Sequence, residues 1–382
     1  MTVRQCVAAI SLVVISASVA ATHSAAVVLD SDALVSISLS DLVVHLREGE
    51  FEQSDQFVTA LEQALQRSRA EDDGQYFAAV CAALTRLHYR RSDFAKGYEV
   101  VTECLQDPLA QLNASDFVDL RGIEAVQLFL TGRNDEARAI MQQIIQENPD
   151  AVDPAVMRRI RANYAGIMKT EGEVLVALTM LTDLLREALR DGTVAEQLRI
   201  GNNLVVTLQE EQLYRDAASW IERLQPAISR SDDEFIVMSL RLHELHLQGM
   251  LGDRDRAIER LQAYIDKNEG GPPVMVGSAY EMLSDFLFET SRYEASRAAA
   301  AKAVDVFSTN PLELSNAALA LVRANIALGE LDTAEQQLVE LREQGIQDVN
   351  SLENLESLEL KLGLARSSDP TLLRTFQRLL DT

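Results

Sequence analysis

The chain is 382 residues long, 47% hydrophobic and 25% charged, which is ample for a folded core and excludes a disordered chain. Its 35 Lys and Arg against 59 Asp and Glu give a net charge of −24, which argues against a nucleic-acid backbone or an anionic lipid surface as the main partner. Aromatic residues are 5% of the chain and Trp220 is the single tryptophan, too few for a sugar-stacking cleft or an aromatic platform for bases.

At the N-terminus, Arg4 precedes a run of apolar and small residues from Cys6 to Val19, the length of a secretory h-region. Cleavage is expected after Ala20 or after Ala26, with Ser18 or Ser24 as the third residue back from the cut. Residues 1–26 are thus expected to be a signal peptide that exports the chain to the periplasm. The alternative is an uncleaved inner-membrane anchor facing the periplasm, since no Asp, Glu, Lys or Arg interrupts Gln5 to Leu29. Cys6 precedes the apolar core and so is not placed like a lipidated cysteine.

From position 30 onward, apolar residues recur at three- and four-residue spacing, punctuated by Gly and Pro, with no sustained apolar/polar alternation. An all-α chain is expected. Within it a turn residue is followed five positions later by a small one: Gly132 to Ala137, Gly172 to Ala177, Gly252 to Ala257 and Gly329 to Ala334. Weaker copies run from Gly49 to Ser54, Ser92 to Gly97, Gln212 to Ala217 and Thr290 to Ala295. Successive starts lie 43, 40, 40, 40, 40, 38 and 39 residues apart. Such a period predicts about eight antiparallel helical hairpins, in which the turn residue reverses the chain and the small residue lets the second helix approach the first. Seven residues before each turn, Leu42, Ala125, Ala165, Val205, Leu245, Leu283 and Val322 are expected to face that small position, with Thr85 breaking the row. Pro108, Pro149, Pro154, Pro226, Pro272, Pro273 and Pro311 are expected at hairpin boundaries, where no interior helical bond is lost. Asp153, Asn310 and Asp369, each before a proline, have the pattern of helix caps.

The motif resembles the tetratricopeptide repeat (TPR), with Gly132, Ala137 and Pro149 at that family's turn, small and terminal proline positions. The family's aromatic residues are mostly missing, and the period is nearer forty than thirty-four, a length that HEAT-like repeats share. The resemblance implies one α-solenoid over residues 30–345, with capping helices in 346–382 at about Val349 to Leu362 and Pro370 to Leu380, in place of two or three globular domains.

Cys81 and Cys104 lie eleven before and twelve after Ser92, level on two antiparallel helices, so they are either bridged or simply paired in the core. His243 and His246 are three apart on a helix, one residue short of the zinc-protease spacing, and buried or solvated histidines are expected there, with no metal. Acidic pairs are abundant and unspecific; a helical toroid glycosidase is the less favoured enzyme reading. No phosphate loop, nucleophile elbow or zinc pattern occurs, so neither catalytic residues nor a cofactor are expected.

Basic residues follow the repeat. Arg121, Arg161 and Arg241 stand eleven before their turns, with Gly201 in that place in the intervening copy; Arg159 and Arg199 stand thirteen before. Asn163 and Asn203 stand nine before, beside Asn202. By resemblance, first helices line a concave groove where such side chains hold a partner's carboxylates, so these eight residues are candidates for an acidic peptide or a C-terminus. The competing reading pairs the arginines with the surplus Asp and Glu. The function expected is a scaffold or adaptor in the bacterial envelope with a protein or peptide partner and no nucleic acid. The membrane would be reached only through an uncleaved N-terminus or a membrane partner. The alternative is a sensory module working with a membrane cyclase or kinase.

Overall fold

The structure is a computed structural model that describes residues 55–90, 93–147, 152–308, 311–344 and 349–367. The expected signal peptide, the turn at Gly49, Leu42, Ser92, Pro149, Asn310 and the second capping helix with Asp369 lie outside the described residues.

Among the described residues every element is helical. Helix α1 (Asp55–Glu71) is followed by seven pairs: α2 (Gly74–Arg90) with α3 (Phe94–Gln106), α4 (Ala114–Leu130) with α5 (Asn134–Glu147), α6 (Pro154–Thr170) with α7 (Val174–Asp191), α8 (Val194–Glu210) with α9 (Tyr214–Ile228), α10 (Glu234–Met250) with α11 (Arg254–Lys267), α12 (Pro273–Glu289) with α13 (Tyr293–Val306), and α14 (Pro311–Leu328) with α15 (Leu331–Gln344). Helix α16 (Val349–Arg366) closes the series, and a 3-10 turn (Pro108–Gln111) precedes α4.

The turns explain the glycines. Gly132 has φ +79°, a left-handed conformation that L side chains rarely adopt, and Arg133 N donates to Leu128 O (2.9 Å) across it. That six-to-one bond satisfies a carbonyl the helix end leaves open. Gly172, Gly252 and Gly329 repeat the positive φ, and Gln212 takes it with φ 60°. Five residues on, Ala137, Ala177, Ala217, Ala257 and Ala334 are fully buried, and so are Thr85, Ala125, Ala165, Val205 and Val322 seven before the turns.

The sixth pair, α12 with α13, corrects the expected frame by one residue. Thr290 has φ −91° and its hydroxyl caps α12 by donating to Phe286 O (2.9 Å), whereas Ser291 has φ 60° and Arg292 N donates to Leu287 O (2.8 Å). Ala295 is accordingly exposed, and the small buried residue is Ser296. Its hydroxyl donates to Ser284 O (2.8 Å) while Ser284 Oγ reaches Ser296 O (3.0 Å), so two serines stitch this pair where others use apolar contact. Prolines mark helix starts at Pro154, Pro273 and Pro311, with Asp153 accepting from Ala155 N (2.8 Å). Pro226 is the exception, standing inside the last turn of α9, where it removes one helical donor.

The described residues form two compact units, one built on the chain up to Leu208 with Trp220–Val237, the other on Gln209–Ser219 with residues from Met238 onward. In the N-terminal unit, Phe57, Leu61, Tyr76, Phe77, Leu87 and Leu120 form a core around Cys81 and Cys104, whose sulfurs are 2.11 Å apart, a bonded distance. Burying each such aliphatic or aromatic side chain contributes roughly 1.5–3 kcal/mol. In the C-terminal unit, Leu242, Leu261, Met282 and Phe286 form one core and Ala303, Phe307 and Ala317 another. Two phenylalanines there sit directly on glycine backbone: a Cβ at Gly249 would come 2.3 Å from the Phe286 ring, and one at Gly277 2.3 Å from the Phe307 ring. Helix α16 lays Leu355, Leu358 and Leu362 over Leu319, Val322, Leu338 and Leu341.

Candidate functional site

The repeat register puts equivalent positions of neighbouring first helices side by side. Asp119 on α4 and Arg159 on α6, both thirteen before their turns, form an ion pair. Arg199, the next member on α8, feels Arg159 as a like charge. It is half-buried, and among the described residues no carboxylate lies within ion-pair distance of it. Burial, with the Arg159 charge next, holds its guanidinium down to about 10, and Asp233 and Glu196 offset only part of this. Glu196 is engaged elsewhere: Arg158 Nε donates to it (2.8 Å), as does Thr193 N (2.8 Å).

Other members of the ladder are neutralised. Arg121 Nη1 donates to Glu124 Oε2 (2.5 Å), Arg161 Nη2 to Glu187 Oε2 (3.0 Å) and, in the C-terminal unit, Arg241 Nη1 to Glu244 Oε2 (2.7 Å). Asn163 and Asn203 are half-buried, while Asn202 is fully buried and so cannot meet a ligand from solvent. The candidate site in the N-terminal unit therefore contracts to Arg199 and Arg159, with Asn163 and Asn203 as neighbours in register.

Arg161 also rims a feature the sequence reading missed, an open cleft of about 570 Å³ lined by Leu175, Val176, Thr179, Met180 and Asp183 of α7. Leu175 is 80% exposed. The available signal was the run from Val174 to Leu178 that opens α7, more apolar than a helix with one buried face needs.

His243 and His246 lie in the core of the C-terminal unit. Gln209 Nε2 donates to His246 Nδ1 (2.8 Å), whose ring stacks on Phe286 and meets Tyr214 edge-on. Neither nitrogen of His243 has a partner, and burial, reinforced by His246, pushes its imidazole down to about 3; burial pushes His246 to about 4. No group of three His, Cys, Asp or Glu suited to a metal ion occurs among the described residues. Both rings stay neutral in the fold but ionise near 6.5 when unfolded, so their contribution is present above pH 6.5 and falls as pH drops towards 4. His243→Leu is therefore expected to stabilise the protein at pH 5 by about 2 kcal/mol relative to its effect at pH 7, read from urea unfolding at both pH values. An equal effect at both would show that His243 does not titrate on unfolding.

No protein-family model matches the chain, and no curated protein does. Solved structures do. A tetratricopeptide repeat protein from Parabacteroides merdae ATCC 43184 superposes with TM-score 0.51 at 16% identity, covering 78% of this chain and 98% of that one. NprR in complex with its cognate peptide NprX gives TM-score 0.53 at 9% identity over 78% of this chain and 82% of that one. A Rap protein complexed with competence and sporulation factor gives 0.53 at 12% identity, over 86% of this chain and all 100% of that one. The fold is that of the tetratricopeptide-type proteins, an all-α solenoid of paired helices, here with a period near forty residues.

Proposed function

We propose that the protein is a non-enzymatic interaction scaffold that holds a peptide or protein partner through an acidic group, a free C-terminal carboxylate or an acidic side chain. The observation that carries this is Arg199: a half-buried guanidinium beside Arg159 with no carboxylate of its own, in a chain with a net charge of −24. A buried cation without a counter-ion is costly, and an incoming carboxylate repays that cost with charge-assisted hydrogen bonds. The fold supports the reading, since NprR and the Rap protein share it and were solved with NprX and with competence and sporulation factor. We also propose export to the periplasm through residues 1–26, with the bond between Cys81 and Cys104 fitting an oxidising compartment.

The test is a panel of labelled acidic peptides with free C-termini, each beside its C-terminal amide and its lysine-substituted form. Arg199→Ala is expected to weaken binding of the free acids by about tenfold or more, the worth of a charge-assisted bond. Equal affinity of wild type and variant, or binding indifferent to the carboxylates, would remove this reading.

A further inference from the structure

Two carboxyl groups of the C-terminal unit have no role in the scaffold. Glu281 on α12 and Glu313 on α14 are each 3% exposed, on helices that pack together. Both oxygens of Glu281 and Oε2 of Glu313 are buried without a hydrogen-bond partner. A buried carboxylate in that state lacks every compensation that normally tolerates one, whereas a neutral acid costs far less.

We propose that Glu281 and Glu313 form a proton-held joint between α12 and α14, closed while both are neutral acids and opened locally when they ionise. The opposing group on α14 is Glu313, close enough for its charge to act on Glu281, and one turn along α12 stands Asp285. Both are of the sign that resists ionisation of Glu281. Asp285 is bound by Arg323 of α14. Burial, with the Arg323 charge second, holds down the ammonium of Lys361 on α16, and Asp285 acts on His246 of α10. Among the described residues, α11 and α13 present no charge that acts on Glu281.

The electrostatics follow the geometry. Burial first, then Glu313 and Asp285, push Glu281 well above the carboxylate range, and burial pushes Glu313 up to about 7. A group whose pKa is raised in the closed state contributes stability that is complete below its solvated value, near 4.3, and is lost as pH rises through the closed-state value. The joint therefore loosens across the neutral range, on the side opposite to the histidines, which weaken the unit as pH falls.

The experiment is hydrogen exchange on the full chain, read by mass spectrometry on peptides from α12 and α14 at pH 6 and pH 8 and corrected for intrinsic exchange. Wild type is compared with Glu281→Gln/Glu313→Gln, which keeps the shape and removes the titration. Contributions shared by both proteins, including those of His243 and His246, cancel in the ratio of their rates. That ratio is expected to rise about tenfold or more between the two pH values from Glu313 alone, while peptides from α2 and α3 stay unchanged. A constant ratio overturns the joint. Should the double variant fail to fold, carbon-detected titration of the wild-type carboxyls decides: midpoints near or above neutrality for these two uphold it, and ordinary carboxylate midpoints refute it.

Discussion

Gly277→Val is expected to destabilise the C-terminal unit by about 3 kcal/mol, although valine narrows the unfolded ensemble relative to glycine. The position is helical, so backbone strain is not the cause. A Cβ there would stand 2.3 Å from Cζ of Phe307, below any real contact, and Phe307 is 1% exposed among Ala303, Ala317 and Tyr280. The ring has little room to retreat, so α12 must move. A double-mutant cycle separates this from a general loss of helix: Phe307→Ala alone costs about 3–5 kcal/mol by leaving a cavity. Combined with Gly277→Val, the total is expected to fall short of the sum by about 1–2 kcal/mol, because the valine occupies part of that cavity. Additive costs in urea unfolding would show that the ring and the glycine do not set each other's position.

Opening the bond between Cys81 and Cys104 is expected to cost the N-terminal unit roughly 3 kcal/mol, the chain-entropy value for closing a loop of 23 residues' separation. The bond joins α2 to α3 within the core that holds Tyr76, Phe77 and Leu87, so its loss releases a hairpin whose turn is local but whose buried face is shared with α1 and α4. The urea midpoint should fall when dithiothreitol is added, and the Cys81→Ala/Cys104→Ala protein should match the reduced wild type and ignore the reductant. If reductant leaves the wild-type midpoint where it was, the bond contributes nothing to stability.

How far the sequence disclosed this molecule depends on which physical demand each residue answers. Gly132, Gly172, Gly252 and Gly329 were legible because a left-handed turn rewards glycine, so the chemistry of the turn is written in the residue type. Ser291 takes the same conformation without that mark, and with small residues at both 295 and 296 the frame slipped to Thr290. The arginine register was legible too, as the pairing of Asp119 with Arg159 shows. Glu187, which neutralises Arg161, was not: it comes from the second helix of the same hairpin, where register on first helices carries no information. Glu281 and Glu313 were invisible among 59 acidic residues, since burial of a carboxylate leaves no trace in spacing.

The glycine turns carry a consequence of another kind. At Gly132, Gly172, Gly252 and Gly329 an added Cβ would meet nothing within 4 Å, so these bends answer to backbone conformation alone and to no packing partner. Loops with that property accept foreign segments with little thermodynamic penalty. Each bend is thus a natural splice point, where an epitope, a fluorophore-bearing loop or a whole guest domain can be inserted between two helices while the apolar stripe on either side stays intact.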